Sequence, residues 1–239
     1  MLRHLGADVV LISVITPALN EEEMLPLRAA EVAAQTPPWE WVVADGGSRD
    51  ATVAAARAHG AIVVVAPRGR GAQLNAGAAA AQGEVLLFLH ADTALPPGSL
   101  DAVRTAATDP ALVGGNFRLR FEGRDVASRL FTAYYRAQQQ WLNVYYGDSA
   151  IFVRREVFAA LSGFRNDPIM EDYDFVRRLE QLGPTACLPL TVTTSARRYR
   201  GRVVRTIATW ASILLLYRLG VPPARLARLY APPGEGGDG

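Results

Sequence analysis

The chain has 239 residues, 25 basic and 23 acidic side chains, half of its positions apolar, and a single cysteine, Cys187. That length suits one globular domain with a sizeable core, and a lone cysteine excludes a disulfide scaffold and fits a reducing, cytoplasmic compartment. Every basic residue is arginine, so a Schiff base, a lysine nucleophile and a Walker-type phosphate loop are all excluded.

The first half alternates strands and helices. Residues 9–16 form a continuous apolar run ending at Pro17, the pattern of a buried parallel strand. Asp8 before it and Pro17–Glu23 after it, without a small-residue cleavage pattern, argue against a secretory leader. A helix is expected over 21–35, then a strand over 39–44, an alanine-rich helix over 50–59 closed by Gly60, and a strand over 61–66. The beat continues with a helix over 72–82, a strand over 85–89, a helix over 99–107 and a strand over 112–121. The second half is less regular: a helix over 126–142, a glycine-containing strand over 145–154, a turn at 158–163, a helix over 171–182 and a returning strand over 185–194. Such alternation predicts an α/β fold with a mostly parallel sheet, whose ligands bind at the carboxyl ends of the strands.

Polar residues gather at those ends. After the first strand stands Pro17-Ala18-Leu19-Asn20-Glu21-Glu22-Glu23, in which Asn20 can cap the next helix and the glutamates suit its positive end. After the second, Asp45-Gly46-Gly47-Ser48-Arg49-Asp50 places a carboxylate in a glycine turn, suited either to capping or to a ribose or base. After the fourth, His90-Ala91-Asp92 puts two metal-capable side chains two apart on extended backbone, so that both face the same way. A hard divalent cation shared with phosphate needs few protein ligands.

Taken together, these three strand ends resemble the family 2 glycosyltransferases of the GT-A fold. Pro17, Asn20 and Glu21 match the family's Pro-x-x-Asn-Glu, and Asp45, Gly47, Ser48 and Asp50 match its Asp-Asp-Gly-Ser-x-Asp turn, with Gly46 in place of the second Asp. His90-Ala91-Asp92 stands where the family carries Asp-x-Asp. The runs 88–93, 170–172 and 193–198 look like one bacterial subgroup with this His-Ala-Asp motif, the rSAM/selenodomain-associated transferase 2-like proteins. The resemblance implies a Rossmann-like nucleotide-diphospho-sugar transferase domain over 1–196, arginine-rich helices over 197–230 and a disordered tail over 231–239. It implies a nucleoside-diphosphate sugar donor, UDP-linked, bound by Pro17, Leu19, Asn20, Glu21, Asp45, Arg70, Asn75, His90 and Ala91. Asp92 would hold Mg²⁺ or Mn²⁺ against the diphosphate. Asp172 would be the base of an inverting transfer to a hydroxyl acceptor, with Glu171 positioning it or the donor sugar and Asp148 approaching the acceptor.

Charge is uneven along the chain. Residues 1–180 carry a net −4, whereas 181–234 hold eight arginines and no acid. Arg197, Arg198 and Arg202 have two open uses: a lid over the diphosphate, or a contact with lipid phosphate beside an apolar 207–219 helix, which is too short to span a bilayer. The second use gives a peripheral membrane contact through 202–219 at the inner face of the membrane. Nucleic acid is not an expected partner; the acceptor and any homo-oligomer are not named by the sequence. Two alternatives share the fold: nucleotidyl transfer, disfavoured because Pro17–Glu23 lacks a glycine-rich Arg/Lys loop, and a sugar-nucleotide-binding protein without turnover. A dinucleotide dehydrogenase fails because Leu74 stands where the third glycine after Gly69 and Gly71 belongs.

Overall fold

The computed structural model describes residues 10–195 and 202–230. The expected apolar runs become the central strands: β1 (Ile12–Ala18), β2 (Trp39–Asp45) and β4 (Val85–Phe88) are buried along most of their length, as strands covered on both faces must be. With β3 (Ile62–Val65) they form a parallel unit in the order β3-β2-β1-β4. The sheet then becomes mixed. β7 (Ile151–Arg154) runs antiparallel between β4 and β6 (Gly114–Phe121), β6 pairs in parallel with β8 (Thr185–Thr194), and the short β5 (Thr93–Ala94) ends the sheet antiparallel to β8.

The reversal of β7 decides where the site lies. Because β7 is antiparallel, its first residue, Ile151, stands opposite Phe88 at the end of β4. The turn entering β7 therefore meets the residues leaving β4, although they are about 60 positions apart in sequence.

Helices cover both faces. On one side α1 (Leu25–Ala33), α2 (Thr52–Ala58), α4 (Ser99–Ala107) and α5 (Val126–Leu142) bury Leu25, Val32, Ala56, Leu100, Val103 and Phe131 against the sheet. On the other, α3 (Arg70–Ala80), α6 (Arg155–Ala160) and α7 (Glu171–Leu182) bury Leu74, Phe158 and Phe175. A four-ring cluster of Phe88, Phe158, Phe164 and Phe175, with centroids 4.4–6.4 Å apart, ties α7 and its preceding loop to β4. Each buried ring stabilises by about 2–3 kcal/mol through area alone.

Several expected boundaries move. The first helix begins at Leu25 rather than Glu21, with Pro26 in its first turn, where a missing N–H costs nothing. Asn20 is left-handed (φ 55°) and does not cap it. The strand expected over 145–154 shortens to β7, because Gly147–Ser149 forms a 3-10 turn and Ala150 is left-handed. Part of the turn expected at 158–163 is instead the last part of α6, and β5 was not anticipated. At the C-terminus α8 (Val203–Arg218) and α9 (Pro223–Tyr230) are helical. Trp210 of α8 packs on Phe121, Phe131, Tyr134 and Tyr135, while Ile213, Leu214 and Leu226 join Val144, Met170 and Tyr173. Among the described residues no helix is long and apolar enough to cross a membrane.

One charged staple holds α7 in place. The buried Asp174 carboxylate accepts from Arg178 Nε (2.8 Å) and Arg165 Nη1 (2.8 Å), and Arg178 also donates to the carbonyls of Leu161 and Gly163. Removing Arg178 takes away the more buried of the two arginines that answer the Asp174 carboxylate and leaves two carbonyls without their donor. Arg178→Ala is expected to lower unfolding stability in urea melts by about 3 kcal/mol, whereas Arg165→Ala, whose side chain is mostly solvent-exposed, costs at most about 1 kcal/mol.

Candidate active site

At the open end of the parallel unit the loops after β1 and β2 are stitched together. Asn20 N–H donates to Ser48 Oγ, Glu21 N–H to Thr52 Oγ1 and Glu22 N–H to Asp50 Oδ2. In return Arg49 N–H donates to Asn20 Oδ1 and Ala51 N–H to Glu22 Oε2. Asp45 closes the turn, accepting from Gly47 N–H and Ser48 N–H. Gln73 of α3 lies beneath, donating to the carbonyls of both Ala18 and Ala44. These bonds consume Asn20, Ser48 and Asp50 in holding the two loops in register, and leave Pro17, Leu19 and Glu21 on the wall of a cavity of about 590 Å³.

Beyond β4, His90 and Asp92 enter the same cavity. His90 is buried, and its Nδ1 lies 2.9 Å from Asp148 Oδ1, in the 3-10 turn before β7. Burial opposes protonation of this ring, but the hydrogen bond and charge of Asp148 outweigh it and raise the His90 pKa. Asp148 moves the other way: its enclosed position would raise it, and His90 together with Arg70 holds it below the usual carboxylate range. Its second oxygen is 3.4 Å from the Tyr135 hydroxyl. The turn that follows Asp92 rests on a pair that sequence reasoning passed over: the buried Arg28 binds the partly buried Glu31, and Glu31 accepts from Leu95 N–H.

The third contribution is the N-terminus of α7. Its preceding loop lies directly on α3, since a Cβ on Gly71 would stand 2.5 Å from the Arg165 carbonyl oxygen. Asn75 pins that loop through both amide atoms, bonding Phe164 N–H and Phe164 O. Glu171 and Asp172 are thereby buried at the cavity wall. Arg70, at the start of α3, donates to Glu171 Oε1 at 3.1 Å. Burial, reinforced by the Asp172 charge, still holds Glu171 above the ordinary carboxylate range. Asp172 Oδ1 accepts from Tyr173 N–H and Oδ2 from Gly147 N–H, both at 2.7 Å. Each oxygen keeps a lone pair for a further donor.

Gly147 is where the residues beyond β4 and the start of α7 meet. A Cβ at this position would stand 2.6 Å from His90 Nε2 and 3.3 Å from Asp172 Oδ2. Only glycine lets the turn pass between these two side chains. The far wall is aromatic, built from Phe121, Tyr134, Tyr135, Tyr146 and Trp210 with Ile213. Burial and the Asp172 charge push the Tyr146 hydroxyl far up, so it stays neutral.

Of the residues expected from sequence, Pro17, Leu19, Glu21, Arg70, His90, Ala91, Asp92, Asp148, Glu171 and Asp172 line this one cavity. Asn20, Asp45 and Asn75 do not; their polar atoms hold loops together, as above. Arg202 is exposed at the head of α8, and Arg197 and Arg198 lie outside the described residues. The aromatic wall went unread, because Tyr134, Tyr135 and Trp210 have the helical spacing of ordinary core positions. Gln73 was legible only as part of the run 68–75.

As a test of metal fit, the Asp92 carboxylate is partly exposed in the cavity and makes no side-chain hydrogen bond or ion pair among the described residues. An oxygen donor of this kind suits a hard cation. Among the described residues no three His, Cys, Asp or Glu side chains form a cage, so Asp92 would have to share an ion with a ligand's oxygens.

Two outcomes are expected. Gly147→Ala should displace His90 or Asp172 and lower turnover at least tenfold with the fold retained, checked by kinetics beside circular dichroism. Glu171→Gln should raise the melting temperature at neutral pH, because the folded state disfavours the ionised acid. The gain should shrink as the pH falls towards the ordinary glutamate value, where both states of the wild type take up the proton.

Comparison with known proteins agrees with this geometry. The chain aligns with an uncharacterized glycosyltransferase of Mycobacterium tuberculosis, 40% identical over 90 residues, covering 37% of this chain and 40% of the relative. It also aligns with a dolichyl-phosphate beta-glucosyltransferase of Drosophila melanogaster, 35% identical over 113 residues, covering 40% of this chain and 35% of the relative. These alignments thus span well under half of the relatives' length. The fold is shared with a mannosyltransferase of Pyrobaculum calidifontis solved with GDP-Man and Mn²⁺, with a TM-score of 0.65 and 19% identity over 92% of this chain and 68% of that one. It is shared too with glucosyl-3-phosphoglycerate synthase of M. tuberculosis, with a TM-score of 0.61 and 21% identity over 93% and 88%. The family model described as glycosyl transferase family 2 matches residues 13–162. With well over half of its length matched, and its strand-end residues gathered around one cavity, this chain belongs to glycosyl transferase family 2.

Proposed function

We propose that the protein transfers a sugar from a nucleoside-diphosphate sugar, UDP-linked, to a hydroxyl acceptor with inversion at the anomeric carbon. The observation that carries this reading is the convergence of Asp92, Asp148, Glu171 and Asp172 on one cavity that is also lined by Pro17, Leu19, Glu21, Arg68 and Arg70. Structural neighbours solved with GDP-Man and Mn²⁺ and with UDP-glucose and Mn²⁺ support a sugar nucleotide and a divalent cation. The His-Ala-Asp motif supports the bacterial subgroup named above.

In this reading the nucleoside lies over Pro17, Leu19 and Glu21, and the diphosphate lies towards Arg70 and the N-terminus of α3, where backbone N–H groups and a guanidinium favour an anion. Asp92 would hold Mg²⁺ or Mn²⁺, which supplies charge neutralisation of the leaving diphosphate when bound. Asp172 accepts the proton of the acceptor hydroxyl. Two backbone N–H groups orient its carboxylate, so the base is pre-positioned rather than recruited. Glu171 braces Arg70 against the donor. Asp148, braced by His90 and Tyr135, orients the acceptor beside the aromatic wall. Helices α8 and α9 act as a cover on the catalytic domain.

Asp172→Asn preserves volume and removes the base. It should lower kcat by about 10²–10⁴-fold while the donor Kd, read by protection against thermal melting, stays within about twofold. Full activity of this variant, or retention of the anomeric configuration in the product by NMR, contradicts the assignment.

A further inference from the structure

Helix α8 has two apolar faces, and among the described residues only one is packed. Its inner face puts Trp210 and Ile213 into the cavity wall. On the outer face Val204, Ala208, Ala211, Leu215 and Leu219 are exposed at helical spacing, and the three large ones expose 80%, 59% and 71% of their surface. Neighbouring α5, which packs on α8 through Tyr134 and Trp210, adds Trp141, 77% exposed. Residues 202–230 also carry Arg202, Arg205, Arg218, Arg225 and Arg228, all exposed, and no acid.

We infer that this outer face docks on an anionic lipid bilayer. An apolar stripe edged by arginines matches a bilayer's acyl boundary and its phosphate layer at once. A nucleic acid would satisfy the arginines but leave the stripe against a polar backbone. A second copy of the chain would bury the stripe but bring five arginines against five with no acid in the segment to answer them. At 16 residues the helix is about 24 Å long, which fits lying in the interface and not crossing it. The cavity wall is then one helix diameter, about 10 Å, from the bilayer. On the reading above, that is the acceptor side.

The test is co-sedimentation of the full chain with vesicles of phosphatidylcholine and phosphatidylglycerol in equal parts, beside pure phosphatidylcholine. The chain should bind the anionic vesicles, and more weakly in high salt. The triple variant Val204→Ser, Leu215→Ser, Leu219→Ser should bind about tenfold less or worse, and Arg205→Glu with Arg225→Glu should do the same. Protection against melting by UDP with Mn²⁺ in vesicle-free buffer should be unchanged in both variants, which shows that they fold. No binding to anionic vesicles, undiminished binding by the triple variant, or a wild-type self-association that the triple variant abolishes each overturns the inference. Loss of the UDP response with vesicle binding intact would instead count against the donor site alone.

Discussion

The site depends on the hydrogen bond from Gly147 N–H to Asp172 Oδ2, made possible by the missing side chain at position 147. This contact joins three segments that are far apart in the chain: the end of β4 through His90, the turn into β7, and the start of α7. Reversal of β7 brings the first two together, and the phenylalanine cluster with the Asp174 staple brings up the third. If position 147 carried a Cβ, His90 or Asp172 would have to retreat, and Asp148 on the same turn would move with them. The rest of the cavity is arranged around this crossing point.

Such an arrangement is costly to stability. Glu171 and Asp172 are adjacent and both buried, and Glu171 is held above its normal range even with Arg70 beside it. A core built for stability alone would place apolar residues here. The molecule offsets the cost with buried, largely apolar strands behind the site and with backbone N–H groups aimed at Asp172. It also answers part of the charge with Arg70 and with His90, whose pKa is raised by Asp148. Acidic side chains are therefore gathered at the strand ends around the cavity, a configuration that favours a cation.

Much of the frame was legible in the sequence because parallel strands buried on both faces leave uninterrupted apolar runs, and glycine and proline mark their ends. The residues Pro17, Leu19, His90 and Asp92 were legible for the same reason, standing at or just beyond the ends of such runs, whereas Glu171 and Asp172 were legible as an acidic pair at a helix start that resembles the family's. Position alone could not separate a group facing the cavity from one facing a neighbouring loop. Asn20, Asp45 and Asn75 have the right chemistry in the right segments, yet their polar atoms are taken by Arg49, Gly47, Ser48 and Phe164. The shortened β7 was hidden for a different reason: apolar residues at 144–146 continue the strand pattern, while the turn is set by a tertiary contact at Gly147. The aromatic wall was equally hidden, since a tyrosine on an amphipathic helix reads as core until a second helix supplies Trp210.

On the proposed function, a divalent cation shared between Asp92 and a nucleoside diphosphate completes the group of carboxylates in this cavity. Isothermal titration of UDP into the protein, with and without Mn²⁺, and into the Asp92→Asn variant tests it most directly. The account predicts that wild-type affinity for UDP rises at least tenfold with Mn²⁺ and that Asp92→Asn loses this increment while retaining the metal-free affinity. Equal binding with and without the ion, or an undiminished Mn²⁺ effect in the variant, would contradict it.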